Sequence, residues 1–284
     1  MGQPARMTGE LSVAGAAPSD SLPARGQAPR IASLVPSLTE LVFALGLGPF
    51  LVARTGYCIH PESGVAGVPK VGGTKDVNLS KLRRLAPTHV LVNVDENRLD
   101  TVEAIRRWPE PPDIVVTHPL DPADNLGLVD EIAAAFGGQD GVAAKAAALS
   151  ADLRAGLAAT HPFGSARRVL YLIWRDPWMT VARDTYVSRM LARIGWATLP
   201  DVIGGPAGAA RYPVVRGDEP WLAGVDEVLL SSEPYRFDAS DFDAVRALCP
   251  SAAVRLVDGE LLSWYGARAV PGLRYLRELA ARAG

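Results

Sequence analysis

Cys58, His60 and Glu62 alternate within five residues, and on an extended backbone alternate side chains face one way, as a shared transition metal would require. Pro61 interrupts regular extension, and three ligands this close in sequence crowd one another, so the segment reads as a loop with one buried thiol. His89, His118 and His161 have no metal-ligand spacing, and His89 reads as a strand-end residue. The stretch Val71-Gly-Gly-Thr-Lys75 holds the residue types of a phosphate loop without the GxxxxGK[ST] spacing. It reads more simply as backbone passing close to something, because glycine has no side chain there. GxSxG and HExxH motifs are absent from the sequence. Tyr57, Trp174, Trp178, Tyr212, Trp264 and Tyr265 all fall in loops or at predicted strand ends. Flat aromatic faces in a cleft suit a large planar or macrocyclic ligand, with Arg175, Asp176 and Arg268 as a polar rim. The same residues would serve equally as loop anchors.

The elements that must position these residues alternate. Residues 30–35 form a short apolar run that suits a buried strand, and Ser37-Leu-Thr-Glu40 has the form of a capping box for a helix ending at Gly46. Strands are expected at 51–55, 89–93 and 114–117, and helices at 78–85, 101–108 and 126–136. From 140 to 160 an Ala-rich stretch carries Val142, Ala146, Leu149, Leu153 and Leu157 on one helical stripe. Such a helix spans on the order of 30 Å and suits a rigid connector as well as an ordinary packed helix. Strands follow at 169–174, 225–231 and 254–257. Helices follow at 186–194, with Asp184 as cap, at 242–248, and from near Pro271 to 281. Residues 82–93 and 221–232 share one layout, helix end, turn and strand, and each is followed by acids, Asp95 and Glu96 in one case and Glu233 in the other. The reading is an α/β chain of two lobes with mainly parallel sheets, joined by one long helix. Its boundaries are a disordered tail at 1–29, a first lobe at 30–136, the connecting helix at 137–162 and a second lobe at 163–284. Two such lobes imply a cleft, where small molecules bind.

Composition agrees with this and excludes other classes. The chain has 284 residues, 48% of them apolar and 21% charged, a length that suits about two domains. Lys and Arg total 29 against 31 Asp and Glu, a net charge of −2, which argues against a nucleic-acid partner. No apolar run is long enough for a membrane-spanning helix. Cys58 and Cys249 allow one disulfide but no disulfide framework. The first 29 residues are rich in Ala, Gly, Pro and Ser, and the best apolar stretch, 11–17, is broken by Ser12 and Gly15. That segment reads as a tail rather than a secretory signal, which makes a cytoplasmic location the expectation.

Three stretches carry a resemblance. Arg30-Ile-Ala-Ser-Leu-Val-Pro-Ser-Leu-Thr-Glu-Leu, then Val68-Pro-Lys-Val-Gly-Gly-Thr-Lys-Asp-Val-Asn-Leu79, then the strand ending at Asn93, resemble the cobalamin- and iron-siderophore-binding proteins of ABC importers. Ile173-Trp-Arg-Asp-Pro-Trp-Met-Thr180 and Asp258-Gly-Glu-Leu-Leu-Ser-Trp-Tyr-Gly266 are similar to the subgroup called helical-backbone metal receptors. The resemblance covers about residues 30 to 284. It implies two α/β lobes on one long helix, a metal chelate such as cobalamin held between them, no catalytic residue and no catalytic cofactor. Carried over by position, Tyr57, Gly73 and Thr74 would line the first wall, and Trp174, Arg175, Tyr212, Trp264 and Tyr265 the second. Arg175 and Arg268 would meet amide or carboxylate groups. The family implies export and an acid on each lobe for docking to a membrane permease. In this chain Ser80 stands at the first such position and Asp218 or Glu219 near the second. The expected assembly is a monomer with its chelate, which it would deliver to an ABC importer or, as an intracellular relative, handle inside the cell. A different class remains open: a two-lobed cytosolic enzyme for a phosphorylated or nucleotide substrate, using Gly72, Gly73 and Lys75 as an anion site. So does a receptor-like chain whose cleft no longer binds.

Overall fold

The computed structural model describes residues 28–162 and 164–282, so the tail read at 1–29 lies almost wholly outside the described residues. The chain divides into two compact units, one ending at His118 and the other beginning at Pro119. In the first unit the order is β1 (Ile31–Ser33), α1 (Pro36–Ala44), β2 (Leu51–Arg54), α2 (Glu62–Val65), α3 (Leu79–Arg84), β3 (His89–Asn93), α4 (Leu99–Arg106) and β4 (Asp113–Thr117). The strands form one parallel sheet in the order β2-β1-β3-β4. Both β1 and β3 are buried along their whole length, which is why they read as unbroken apolar runs rather than alternating ones. Ala32, Val90 and Val92 pack with Val102 and Ile105 in the core of this unit.

The first helix corrects one expectation. It starts at Pro36, with Val35 as N-cap and no side-chain cap, so Ser37 lies inside the first turn and the capping box does not form. Proline, with φ already helical and no N–H to satisfy, sets the start two residues early. Thr39 instead donates to the Val35 carbonyl at 2.9 Å and to Ser33 at 2.8 Å. In α3 the cap is a side chain: Asn78 Oδ1 accepts from the Lys81 amide at 2.8 Å.

The second unit runs α5 (Asp124–Ala135), α6 (Val142–Ala159), β5 (Arg167–Leu172), β6 (Trp178–Met179), α7 (Tyr186–Ala192), β7 (Trp196–Thr198), β8 (Val214–Val215), β9 (Glu227–Ser231), α8 (Phe242–Leu248), β10 (Ala253–Val257), α9 (Gly259–Ser263) and α10 (Ala269–Ala281). Its parallel sheet has the order β10-β9-β5-β7, and β6 pairs antiparallel with β8. Taken in chain order, both parallel sheets place their strands second, first, third, fourth. The two stretches with one sequence layout end on β3 and β9, the strands that lie just beyond the first strand in each sheet. The long Ala-rich helix is α6, 18 residues or about 27 Å. It packs on α5 and α10 within the second unit. The sequence boundary at 136 would have counted α5 with the first lobe and set α6 apart.

Two further expectations change. Asp184 does not cap α7, whose N-cap is Thr185. Its carboxylate accepts the Gly204 and Gly205 amides at 2.8 and 2.9 Å and lies 3.5 Å from the buried Arg211 guanidinium, so it holds the 204–211 loop. Cys58 and Cys249 are both free and buried, and no disulfide joins them.

Candidate ligand-binding site

In the first unit, candidate residues gather beyond the carboxyl ends of the strands. In an open parallel sheet this is where ligands bind, at the point where the chain's strand order reverses. That point lies between β1 and β3. Asn97 fixes it: Nδ2 donates to the Leu34 carbonyl at 3.2 Å and to the Thr74 carbonyl at 3.0 Å, while Oδ1 accepts the Asn93 amide at 2.9 Å. One buried side chain thus ties both strand ends to the loop holding Gly73 and Thr74. That loop is a tight hairpin in which Gly72, at φ +105°, adopts a conformation only glycine takes without strain. The Gly56 amide donates to the Gly72 carbonyl at 2.7 Å, joining the loop to the segment after β2. Tyr57 follows at once, is 66% exposed, and lies against the bare Cα of Gly73. The three residues expected on this wall are therefore brought together.

A polar cluster lies beside them. Lys75 Nζ donates to the Asp95 carbonyl, and His118 Nε2 lies 3.3 Å from Asp95 Oδ2. Burial lowers the Lys75 pKa, opposed by the Glu96 and Asp95 charges. The Gly73 amide donates to the Asp76 carbonyl at 3.1 Å, so this glycine loop spends an amide on its own turn rather than turning it toward an anion. Cys58 is buried, with its sulfur 3.1 Å from Thr55 Oγ1. Burial pushes its thiol pKa up. Among the described residues no group of three or more His, Cys, Asp or Glu is placed to hold a metal ion.

In the second unit the corresponding point lies between β5 and β9. The chain leaves β5 through Ile173 and Trp174 and returns by a turn to β6, with the Met179 amide donating to the Trp174 carbonyl at 3.1 Å. The Tyr235 amide, just beyond β9, donates to the Ile173 carbonyl at 3.2 Å. Trp174 is 42% exposed and meets Tyr235 edge to face at 5.7 Å. Tyr235 packs on Phe237, which stacks on Trp178. Trp178 is therefore a loop anchor, and Trp174 is the ring left at the surface. Tyr235 was not anticipated, although the repeat of strand and acids pointed to its segment.

The remaining candidates on this side are packed or paired within the unit. Trp264 is only 7% exposed; its Nε1 donates to Glu233 Oε1 at 2.8 Å, and the Arg268 guanidinium lies 4.9 Å from its ring centroid. Tyr265 is buried edge-on against Tyr186. Tyr212 is half-buried against the core of the unit. Arg268 pairs with Glu260 at 2.8 Å, and Arg175 donates to the buried Asp241 while lying 5.5 Å from the Trp178 ring. Ser263 also donates to Glu233 Oε1, at 2.7 Å. Burial raises the Glu233 carboxyl pKa, and the bonds from Ser263 and Trp264 only partly offset this. Gly259 makes the close packing possible, because a Cβ there would strike Ser231 Oγ and Glu233 Cγ. Of the residues expected to dock a permease, Asp218 is exposed, whereas Glu219 accepts the Arg216 and Gly217 amides at 2.8 Å each. Ser80 is exposed on α3.

No family model matches the chain. The uncharacterized ABC transporter substrate-binding lipoprotein YvrC of Bacillus subtilis is 26% identical over 266 residues, covering 88% of this chain and 79% of its own. The vitamin B12-binding protein of Yersinia pestis is 39% identical over 71 residues, a span of 25% of each chain. Among solved structures, the periplasmic heme-binding protein HutB of Vibrio cholerae superposes with a TM-score of 0.71 at 20% identity, over 90% of this chain and 98% of its own. By sequence the chain is a relative of an ABC transporter substrate-binding lipoprotein, and by fold it matches a periplasmic heme-binding protein.

Proposed function

We propose that the chain is a ligand receptor, the substrate-binding component of an ABC importer, and that it carries a metal chelate such as a corrinoid or a porphyrin. The observation that carries this reading is the pair of exposed aromatic rings, Tyr57 and Trp174, each beyond the carboxyl ends of a parallel sheet with the same strand order. Flat apolar faces at that position suit a macrocycle better than a small polar substrate. The relatives described as vitamin B12-binding and heme-binding support the ligand class. Tyr57, Gly73 and Thr74 form a contact surface in the first unit, and Trp174 with Tyr235 a contact surface in the second. Trp264, Tyr265, Arg175 and Arg268 act behind that second surface. The receptor works as a monomer, without a catalytic cofactor, and offers Asp218 to a permease. At the matching position of the first unit stands Ser80.

Titration calorimetry with cyanocobalamin, hemin and a ferric siderophore tests the reading. Saturable binding at micromolar or lower concentration to one of them is expected; silence with all three overturns it. The enzyme reading needs an anion site at Gly72, Gly73 and Lys75. It is disfavoured because the Gly73 amide already donates within its own turn and the loop lacks the GxxxxGK[ST] spacing. Lys75→Ala is expected to leave chelate affinity within about twofold. Nucleotide binding that this variant abolishes would restore the enzyme reading.

A further inference from the structure

The charges behind the second surface are matched to one another before any ligand arrives. Arg175 donates to Asp241, which is buried, lies 3.9 Å from the Asp176 carboxylate, and rests against the Trp178 ring. Arg268 repeats the device, with Glu260 as its carboxylate and Trp264 as its ring. A guanidinium offers its donors in a fixed fork, so one that is paired and seated on an indole is not free to turn outward. Glu233 lies among the same residues with its Oε1 accepting from Ser263 and Trp264. Asp258 caps α9 by accepting the Leu261 amide at 3.0 Å. Arg236 is exposed beside Asp238, whose carboxyl pKa is held down first by its bonds from Ser240 and then by the Arg236 charge. Carboxylates therefore outnumber guanidinium groups across this region, and both arginines once expected to meet the ligand are committed.

We infer that this surface selects a chelate whose rim is uncharged, bearing carboxamides or esters, over the same ring bearing carboxylates. The inference rests on the receptor reading above. A carboxylate brought here must either pull Arg175 or Arg268 from its partner, stranding Asp241 or Glu260, or sit against like charge. A carboxamide faces neither cost, and its N–H groups find acceptors among the carboxylate oxygens.

The test uses pairs of ligands that differ only in rim charge: cyanocobalamin against its monocarboxylic acid, and the dimethyl ester of hemin against hemin. Affinities are measured by calorimetry at pH 7. The neutral member of the pair that binds is expected to bind at least tenfold more tightly. Asp241→Asn, which releases Arg175, is expected to narrow that gap several-fold, and Glu260→Gln does the same for Arg268 should the first variant not fold. Equal or tighter binding of the carboxylate member overturns the inference and leaves the receptor reading intact. So does a gap unchanged in both variants. Failure of all four ligands overturns the inference, and silence from the ferric siderophore as well overturns the receptor reading.

Discussion

Trp174 and Trp264 are the same residue type with opposite environments, and substitution separates them. Trp174 is exposed and touches Tyr235 by one edge. Trp174→Ala is expected to change stability by about 0.5 kcal/mol or less while weakening chelate binding roughly tenfold. Trp264 is buried, bonded to Glu233 and covered by Arg268. Trp264→Ala is expected to cost about 3–5 kcal/mol of stability. Denaturant melts and calorimetry on the two variants check this; an unstable Trp174→Ala or an undisturbed Trp264→Ala would reverse the assignment. Sequence alone could not divide them, because both are aromatic residues near strand ends, and only burial and bonded partners distinguish a support from a surface. Glu233 behaves differently again. Its carboxyl pKa is raised by burial in the folded state, so its contribution to stability is full below the ordinary carboxylate range and is lost as pH rises through the raised value. Glu233→Gln should remove that loss and still accept the Ser263 and Trp264 donors. Its stability relative to the parent should therefore rise as pH increases above the ordinary carboxylate range, and a difference that stays constant with pH in thermal melts would contradict the buried-acid account.

At the scale of elements, strands were legible and loops were not. The apolar runs that became β3 and β9 are buried throughout, and a central parallel strand has no solvent face to blur its pattern. The three-residue β7 and the two-residue β6 and β8 are too short for any period to register. The region from 199 to 213 owes its shape to ions rather than to periodicity. Arg211 is buried, donates to the Asp184 and Gly205 carbonyls at 3.1 and 2.8 Å, and faces the Asp184 carboxylate. A sequence offers no spacing rule for an acid that meets an arginine 27 positions away, so Asp184 read as a helix cap. Asp184→Ala strands Arg211 and two backbone amides, and is expected to cost about 3–5 kcal/mol. Burial pushes the Asp184 pKa up, but the Gly204 and Gly205 amides and the Arg211 charge outweigh this and hold it below its ordinary value. The stability it provides is present above the ordinary aspartate range and is lost as pH falls through its lowered pKa. Acid titration of folding should show a component present in the parent and missing from Asp184→Ala; identical acid limbs would remove the pair from the account of this loop.

Among the described residues the first unit has an apolar core around β1 and β3, and the second has cores on the faces of its sheet. Cooperative all-or-none unfolding is a property of single small domains, and a chain of two compact units allows more than one transition. Differential scanning calorimetry is therefore expected to show a van 't Hoff enthalpy below the calorimetric one. This gives a test of the receptor reading that does not depend on any single side chain. A ligand that binds only folded protein stabilises what it touches by RT ln(1 + [L]/Kd), about 2.7 kcal/mol at a hundred times Kd. A chelate should raise the transition of the unit that holds its contact surface, because that unit must be folded for the surface to exist. One transition raised and another unmoved would confine the ligand to a single unit. Trp174→Ala and Tyr57→Ala would then identify which one, since only the substitution in the binding unit would reduce the shift, by about half for a tenfold loss of affinity at a hundred times the parent Kd.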